Sequence, residues 1–256
     1  MNVKFDFSGQ KVLVTGSSRG IGRAVALAFA QAGAAVTLHY HKNRQAAHKV
    51  LEALPGEGHD IEQCDLSSYR EISEMIGRLK EKGTLPQILV SNAGIFEEFD
   101  ILNAGEEKWL DKWERTLRTN LHGPAFLAWL LGKEMASRKH GRIIQIGSRG
   151  AFRGEPDAPA YGASKAGLHS FGQSLAVALA PHGVEVYSIA PGFVNTDMAA
   201  YAMKGARADE IRNQSPMKRI AEPEEIAQLA CFLASEGHGY MTGAIIDING
   251  ASYLRS

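Results

Sequence analysis

Short apolar runs alternate with amphipathic stretches along the whole chain. Residues 11–15, 35–40, 61–64, 87–90, 142–146, 184–189 and 244–248 read as strands, each brief and dominated by Val, Ile, Leu or Ala. Helical patterns fill the intervals at 21–32, 46–54, 106–135, 158–180 and 223–233. Ile72, Met75, Ile76 and Leu79 fall at i, i+3, i+4 and i+7, the stripe of one further amphipathic helix. Pro124 is a candidate break in the longest helical stretch, and Pro223 suits the first turn of the last. This alternation predicts an α/β fold of Rossmann type, a doubly wound parallel sheet covered on both faces. Ligands in such a fold bind beyond the carboxyl ends of the strands. No low-complexity linker or internal repeat interrupts residues 1–256, so one domain is expected. The stretch 193–216 is poor in strand signal and admits two readings, a mobile lid or a surface excursion.

The composition narrows the class. Of 256 residues 45% are hydrophobic and 22% charged, enough for one large, stable core. The 28 basic and 28 acidic side chains cancel, which gives no electrostatic reason to expect nucleic acid or an anionic membrane as partner. There is no run of about 18 apolar residues, so no membrane span is expected. Residues 1–7 lack a signal-peptide h-region. Cys64 and Cys231 have no metal-ligand spacing and read as buried apolar side chains in a reducing compartment. A cytoplasmic location is the expectation.

Tyr161 and Lys165 stand four residues apart, and Ser148 precedes the tyrosine by thirteen. On a helix, i and i+4 side chains share a face. At ~4 Å and an effective dielectric of ~20, an ammonium attracts a phenolate by about 4 kcal/mol. That would draw a tyrosine from about 10 towards ~7, giving a phenol able to exchange protons near neutral pH. Chance alone supplies roughly 0.4 Tyr-x-x-x-Lys pairs in such a chain, so the pair gains weight only from its surroundings. One such surrounding is Ser148, which follows a predicted strand. Another is the loop from Thr15 to Gly22, with glycines at 16, 20 and 22, which follows the first strand and opens the first helix. Glycines there allow a pyrophosphate to approach the helix N-terminus; a lone glycine cluster is equally well read as a structural turn.

These residues, with Asp65-Leu66, Ser91-Asn92-Ala93-Gly94, Asn120 and Pro191-Gly192, stand in the order of the short-chain dehydrogenase/reductase family. The chain resembles that family over nearly its whole length. The resemblance implies hydride transfer between a nicotinamide dinucleotide and a small-molecule carbonyl or secondary alcohol. It also implies roles. Gly16, Ser18, Arg19, Gly20 and Ile21 would surround the phosphates. Asp65 would accept from the adenine amino group, with Leu66 against the ring. Asn92, Ala93 and Gly94 would line the adenosine ribose side, Asn92 also steadying the sheet. Pro191, Gly192, Val194 and Thr196 would hold the nicotinamide and its carboxamide. Tyr161 would donate the proton, Ser148 orient the carbonyl oxygen, and Lys165 lower the phenol pKa and bond the nicotinamide ribose. Asn120 would hold a water joining Lys165 to solvent; without the resemblance, an isolated Asn in a helical stretch reads as a cap or kink. Ser91 departs slightly from the family, where Asn is usual.

Cofactor choice follows from charge. A carboxylate at the end of the second strand would bond the ribose hydroxyls of NAD and repel the extra phosphate of NADP. Here that end runs Tyr40, His41, Lys42, Asn43, Arg44 with no carboxylate, and Arg19 has the fork geometry a phosphate suits. NADP(H) is therefore expected over NAD(H), with Tyr40, His41 and Asn43 beside it.

Other chemistries are poorly supported. The nine histidines form no His-Glu-x-x-His, and Ser148 is not in a Gly-x-Ser-x-Gly elbow. Trp109, Trp113 and Trp129 read as core or interface. Within the family, the 216–250 region and His140-Gly141-Arg142 resemble β-ketoacyl-acyl carrier protein reductases. Three features depart from those: the lengthened 94–120 segment, His182 where a basic residue is usual, and the charged loop 149–157. A 3-oxoacyl thioester, a sugar, a cyclic alcohol and another small ketone all stay open as substrates, as does a non-catalytic dinucleotide-binding regulator. Glycines at 162, 167 and 172 in an apolar helix imply close packing, and a homotetramer or homodimer built on that helix is expected.

Overall fold

The computed structural model describes residues 5–200 and 204–255. Seven parallel strands form one sheet, β1 (Lys11–Val14), β2 (Ala35–Tyr40), β3 (Asp60–Gln63), β4 (Ile88–Ser91), β5 (Gly141–Ile146), β6 (Val184–Pro191) and β7 (Ile245–Ile248). Their order is β3-β2-β1-β4-β5-β6-β7. The winding reverses between β1 and β4, the place where such sheets open a ligand crevice at their carboxyl ends. Central strands are buried from end to end, β4 and β5 at every residue, because helices cover both faces.

Those helices are α1 (Gly20–Gln31), α2 (Arg44–Ala53), α3 (Tyr69–Glu81), α4 (Glu106–Leu117), α5 (Gly123–Ser137), α6 (Gly150–Arg153), α7 (Pro159–Leu179), α8 (Asp197–Ala200), α9 (Gly205–Asn213) and α10 (Pro223–Ala234). Two cores result. One joins α1 and α10 to the sheet through Val25, Phe29, Ile226 and Leu233. The other joins α3, α5 and α7 through Ile72, Leu79, Leu131 and Leu175. The stripe of Ile72, Met75, Ile76 and Leu79 is wholly buried, as its period requires.

The long helical stretch does break, ahead of Pro124. A five-residue π-helical turn, Arg118–His122, separates α4 from α5. Asn120 lies within it, and its amide accepts from Ile95 N (2.8 Å) and donates to Ile95 O (2.9 Å) across to the segment after β4. Gly123 then passes so close to β3's following loop that a Cβ would lie 1.7 Å from Leu66 O. The 193–216 segment contains α8 and α9 rather than irregular chain, although residues 201–203 lie outside the described ones, as do residues 1–4 of the N-terminal stretch. In α7 a Cβ at Gly167 would meet Leu121 at 2.9 Å and one at Gly172 would meet Gln145 at 2.3 Å. The close packing those glycines allow is thus internal to the chain.

Candidate active site

The first loop is set by two left-handed glycines, Gly16 (φ +64°) and Gly20 (φ +56°). A Cβ at Gly16 would lie 2.9 Å from Ala93 Cα, and one at Gly22 would lie 2.4 Å from Gly16 O. The backbone is held by Asn92, whose amide donates to Thr15 O (2.9 Å) and Gly16 O (3.2 Å), while Thr15 Oγ1 accepts from Asn92 N and Ala93 N. Asn92 therefore ties β4 to β1. Arg19 at the α1 N-cap supplies no side-chain cap, leaving first-turn N–H groups directed outward, an arrangement suited to a pyrophosphate.

His39 is a buried strut of the same loop. Its Nδ1 accepts from Gly16 N (3.1 Å), so Nε2 carries the proton and donates to Cys64 O (2.9 Å). Burial lowers its pKa to about 4, and it stays neutral. His41 is exposed but faces Asp65 at 3.5 Å, a carboxylate that the sheet order brings beside the end of β2 from the neighbouring strand. Asn43 lies at the same edge and caps α2, accepting from Ala46 N (3.0 Å). The guanidinium of Arg19 forms no hydrogen bond or ion pair among the described residues, and the Lys42 ammonium forms none either but lies near enough to Asp65 to help hold that carboxyl below its usual range.

A cleft of about 610 Å³ runs from these groups across the carboxyl ends of the strands. It collects Gly16, Ser18, Arg19, Gly20 and Ile21 of the loop, Tyr40, His41 and Asn43, then Asn92, Ala93 and Gly94, and finally Pro191, Gly192, Val194 and Thr196 beside Ser148, Tyr161 and Lys165. Asp65, Leu66 and Asn120 do not line it. Asp65 Oδ1 is engaged by Ser67, Leu66 belongs to the second core, and Asn120 is fully buried behind Gly94, at which a Cβ would lie 3.2 Å from Asn120 Oδ1 and 3.6 Å from Lys165 Nζ. A shallower depression of similar volume, around Arg212, Lys218 and Arg219, contains none of these residues. Among the described residues, no three His, Cys, Asp or Glu side chains are grouped to hold a metal.

Ser148 Oγ accepts from Gly150 N (3.0 Å) and hydrogen-bonds the Tyr161 phenol. Phe96 closes on the tyrosine edge-on, its ring centroid 4.9 Å away. Lys165 is buried and donates to Ile146 O (2.8 Å), its Nζ 5.8 Å from the Tyr161 ring centroid. This geometry reverses the expected direction of the phenol. Burial pushes Tyr161 up to about 12, with Ser148 opposing and Glu155 reinforcing. Burial likewise lowers Lys165 to about 8. The expectation of a pKa near neutrality assumed a close pair in surface-like dielectric; desolvation of both groups outweighs the attraction, and the ammonium is turned to a backbone carbonyl. At neutral pH Tyr161 holds its proton, the state a proton donor needs.

The other wall of the cleft was not assigned from sequence. It carries Glu98, Arg149, Glu155, Asp157, Phe193, Met198 and Arg207. Arg207 of α9 reaches across to Glu98 (2.8 Å) and Asp157 (4.0 Å), joining the 193–216 segment to the loops after β4 and before α7. The only forewarning in the sequence was the unusual charge of 149–157.

A parallel Rossmann-type sheet whose dinucleotide crevice ends at a Ser–Tyr–Lys group defines a nicotinamide-dependent oxidoreductase. The family comparisons agree. A family model described as enoyl-(acyl carrier protein) reductase matches residues 16–251. The chain is 38% identical to 3-oxoacyl-[acyl-carrier-protein] reductase FabG of Escherichia coli (strain K12) over 251 residues, 97% of this chain and 99% of that one. It is 34% identical to the protein of the same name from Pseudomonas aeruginosa over 250 residues, 96% and 98% of the two chains. Among solved structures it is similar to a protein from Agrobacterium tumefaciens provisionally named gluconate dehydrogenase, with TM-score 0.90 at 30% identity, covering 98% of each chain. The chain belongs to the short-chain dehydrogenase/reductase family. It is an oxidoreductase that interconverts a carbonyl and a secondary alcohol by hydride transfer. Among the described residues no helix is long and apolar enough to cross a membrane.

Proposed function

We propose that the protein reduces a ketone to a secondary alcohol with NADPH as hydride donor. The observation that carries this reading is the placement of Ser148, Tyr161 and Lys165 together at one end of the cleft, where burial raises the Tyr161 phenol so that it keeps its proton. Ser148 orients the carbonyl oxygen, and Tyr161 delivers its proton to the alkoxide as charge develops there. Lys165 supplies positive charge beneath the phenol, and Asn120 braces the segment after β4 against α7 through Ile95 and Ser164 (3.3 Å). The glycine loop and α1 hold the phosphates, with Asn92, Ala93 and Gly94 at the adenosine ribose, and Pro191, Gly192, Val194 and Thr196 around the nicotinamide. Asp65, whose Oδ2 lies beside His41, is left to meet the adenine amino group at the cleft edge, while Leu66 supports that edge from the second core.

The preference for NADP(H) rests on Arg19 and Lys42, since His39 is neutral and His41 faces Asp65. It is tested by kcat/KM for NADPH and NADH with one ketone; a higher value for NADH overturns it. By likeness to the named reductases, a 3-oxoacyl thioester is the first substrate class. A hydroxylated small ketone is a second, favoured by the charged side chains of the substrate wall. A homo-oligomer is supported by exposed apolar side chains on α4, α5 and α7, namely Leu110, Trp129 and Val177, the last 79% exposed. A cytoplasmic location accords with the buried free thiols.

A further inference from the structure

Glu155 occupies an unusual position for a carboxylate. It lies on the loop between Ser148 and Tyr161 and lines the cleft. Its Oε1 is tucked against the turn that follows the catalytic serine, where a Cβ at Gly150 would meet it at 2.4 Å. That same Gly150 N–H holds Ser148 Oγ (3.0 Å). The carboxyl is close enough to Tyr161 for its charge to act on the phenol. Although half-buried, it accepts no hydrogen bond and forms no close ion pair among the described residues.

A half-buried carboxylate without donors is costly, and such groups are ordinarily satisfied by protein, water or ligand. Burial raises its pKa above the usual carboxylate range, against the pull of Arg153 and Arg149. Those two guanidiniums do not satisfy it. Arg149 hydrogen-bonds Ser252 and Gln214 and lies over the Phe193 ring at 5.2 Å, while Arg153 donates to Gln214 (3.0 Å). Their two charges outweigh that of Asp157, so the field around Glu155 is net positive. A ligand ammonium gains little there. A neutral O–H donor gains a charge-assisted hydrogen bond.

We propose that Glu155 is a specificity-determining residue that accepts a hydrogen bond from a hydroxyl group on the substrate, close to the carbonyl bound at Ser148 and Tyr161. The substrate class is then a hydroxylated small ketone rather than a plain acyl chain. This inference rests on the ketone-reductase reading above. The carboxylate discriminates because a bound analogue lacking the hydroxyl displaces its water and offers no donor in return.

The test compares L-erythrulose with butan-2-one, the same carbon chain without hydroxyls, and with acetoacetyl-N-acetylcysteamine as a carrier-free 3-oxoacyl probe. NADPH consumption is followed for the wild type, Glu155→Gln, Glu155→Ala and Gly150→Ala, whose methyl group would take the carboxylate's place. The wild type is expected to favour erythrulose over butanone by about 10- to 100-fold, the weight of one hydrogen bond to a charged group. Glu155→Ala and Gly150→Ala should remove most of that ratio, mainly through KM for erythrulose, with Glu155→Gln retaining part. NADPH affinity, read by fluorescence titration, reports that the folded cleft persists. A ratio near one in the wild type, or a ratio unchanged in Glu155→Ala, overturns the inference. Turnover of the thioester alone also overturns it and leaves the reductase reading standing. Turnover of no ketone by a protein that binds NADPH overturns both.

Discussion

At the dinucleotide end of the cleft the walls are largely backbone. Gly16, Gly20, Gly94 and Gly192 stand at strand ends and loop turns, the first loop fixed by Asn92, Thr15 and His39 and Gly192 by its bond to Ile248 O. At the substrate end the walls are charged side chains, Glu98, Arg149, Glu155 and Arg207, carried by connecting loops and the short α9. The contrast has a physical basis. A pyrophosphate asks for N–H groups and space, which glycine turns and a helix N-terminus provide in one geometry. A variable substrate asks for side chains, and these can be changed on a loop without disturbing the sheet.

If that division of labour holds, substitutions at the two ends should separate binding of dinucleotide from handling of the ketone. The largest effect is expected where the two ends meet. Tyr161→Phe should lower kcat by about 10²- to 10⁴-fold, the usual weight of a general acid, with NADPH affinity unchanged by fluorescence titration. Gly22→Ala should act on the dinucleotide end instead. Its new Cβ would lie 2.4 Å from Gly16 O and 2.5 Å from Asn92 Nδ2, neither of which can yield without losing the loop. A stability loss of about 1–3 kcal/mol is expected from denaturant unfolding, together with weakened NADPH binding. Arg207→Ala should have the smallest effect. Losing its partly exposed ion pair with Glu98 costs up to about 1 kcal/mol, so KM for the ketone should rise a few-fold while NADPH affinity holds. A large loss of NADPH binding in Arg207→Ala, measured by the same titration, would erase the division.

The same contrast marks what could be read from the chain. The inner strands, buried on both faces, write near-continuous apolar runs, and although the half-buried edge strands β3 and β7 leave a weaker signal, all seven were legible to within a few residues. The glycine loop, Ser148, Tyr161 and Lys165 were legible because their spacing is tied to strand ends and one helix face. Asn120 was visible only by likeness, since a π-helical turn leaves no simple period. The pairing of His41 with Asp65 was hidden because β2 and β3 are neighbours in space, while a scan of the β2 end sees only its own residues. The substrate wall was least legible: 96–99, 149–157 and 193–207 meet only after folding. The phenol pKa was misjudged for a related reason, as burial cannot be read from a four-residue spacing.

The state of that phenol bears most directly on the account, since a donor must hold its proton at working pH. Ultraviolet difference titration of the wild type against Tyr161→Phe isolates its ionisation from that of the other tyrosines. With burial raising Tyr161 to about 12, no phenolate assignable to it should form as pH rises past neutrality and through the ordinary tyrosine range. A phenolate appearing near neutral pH, lost in Tyr161→Phe, would contradict the account and restore the close Tyr161–Lys165 pair that the sequence first suggested.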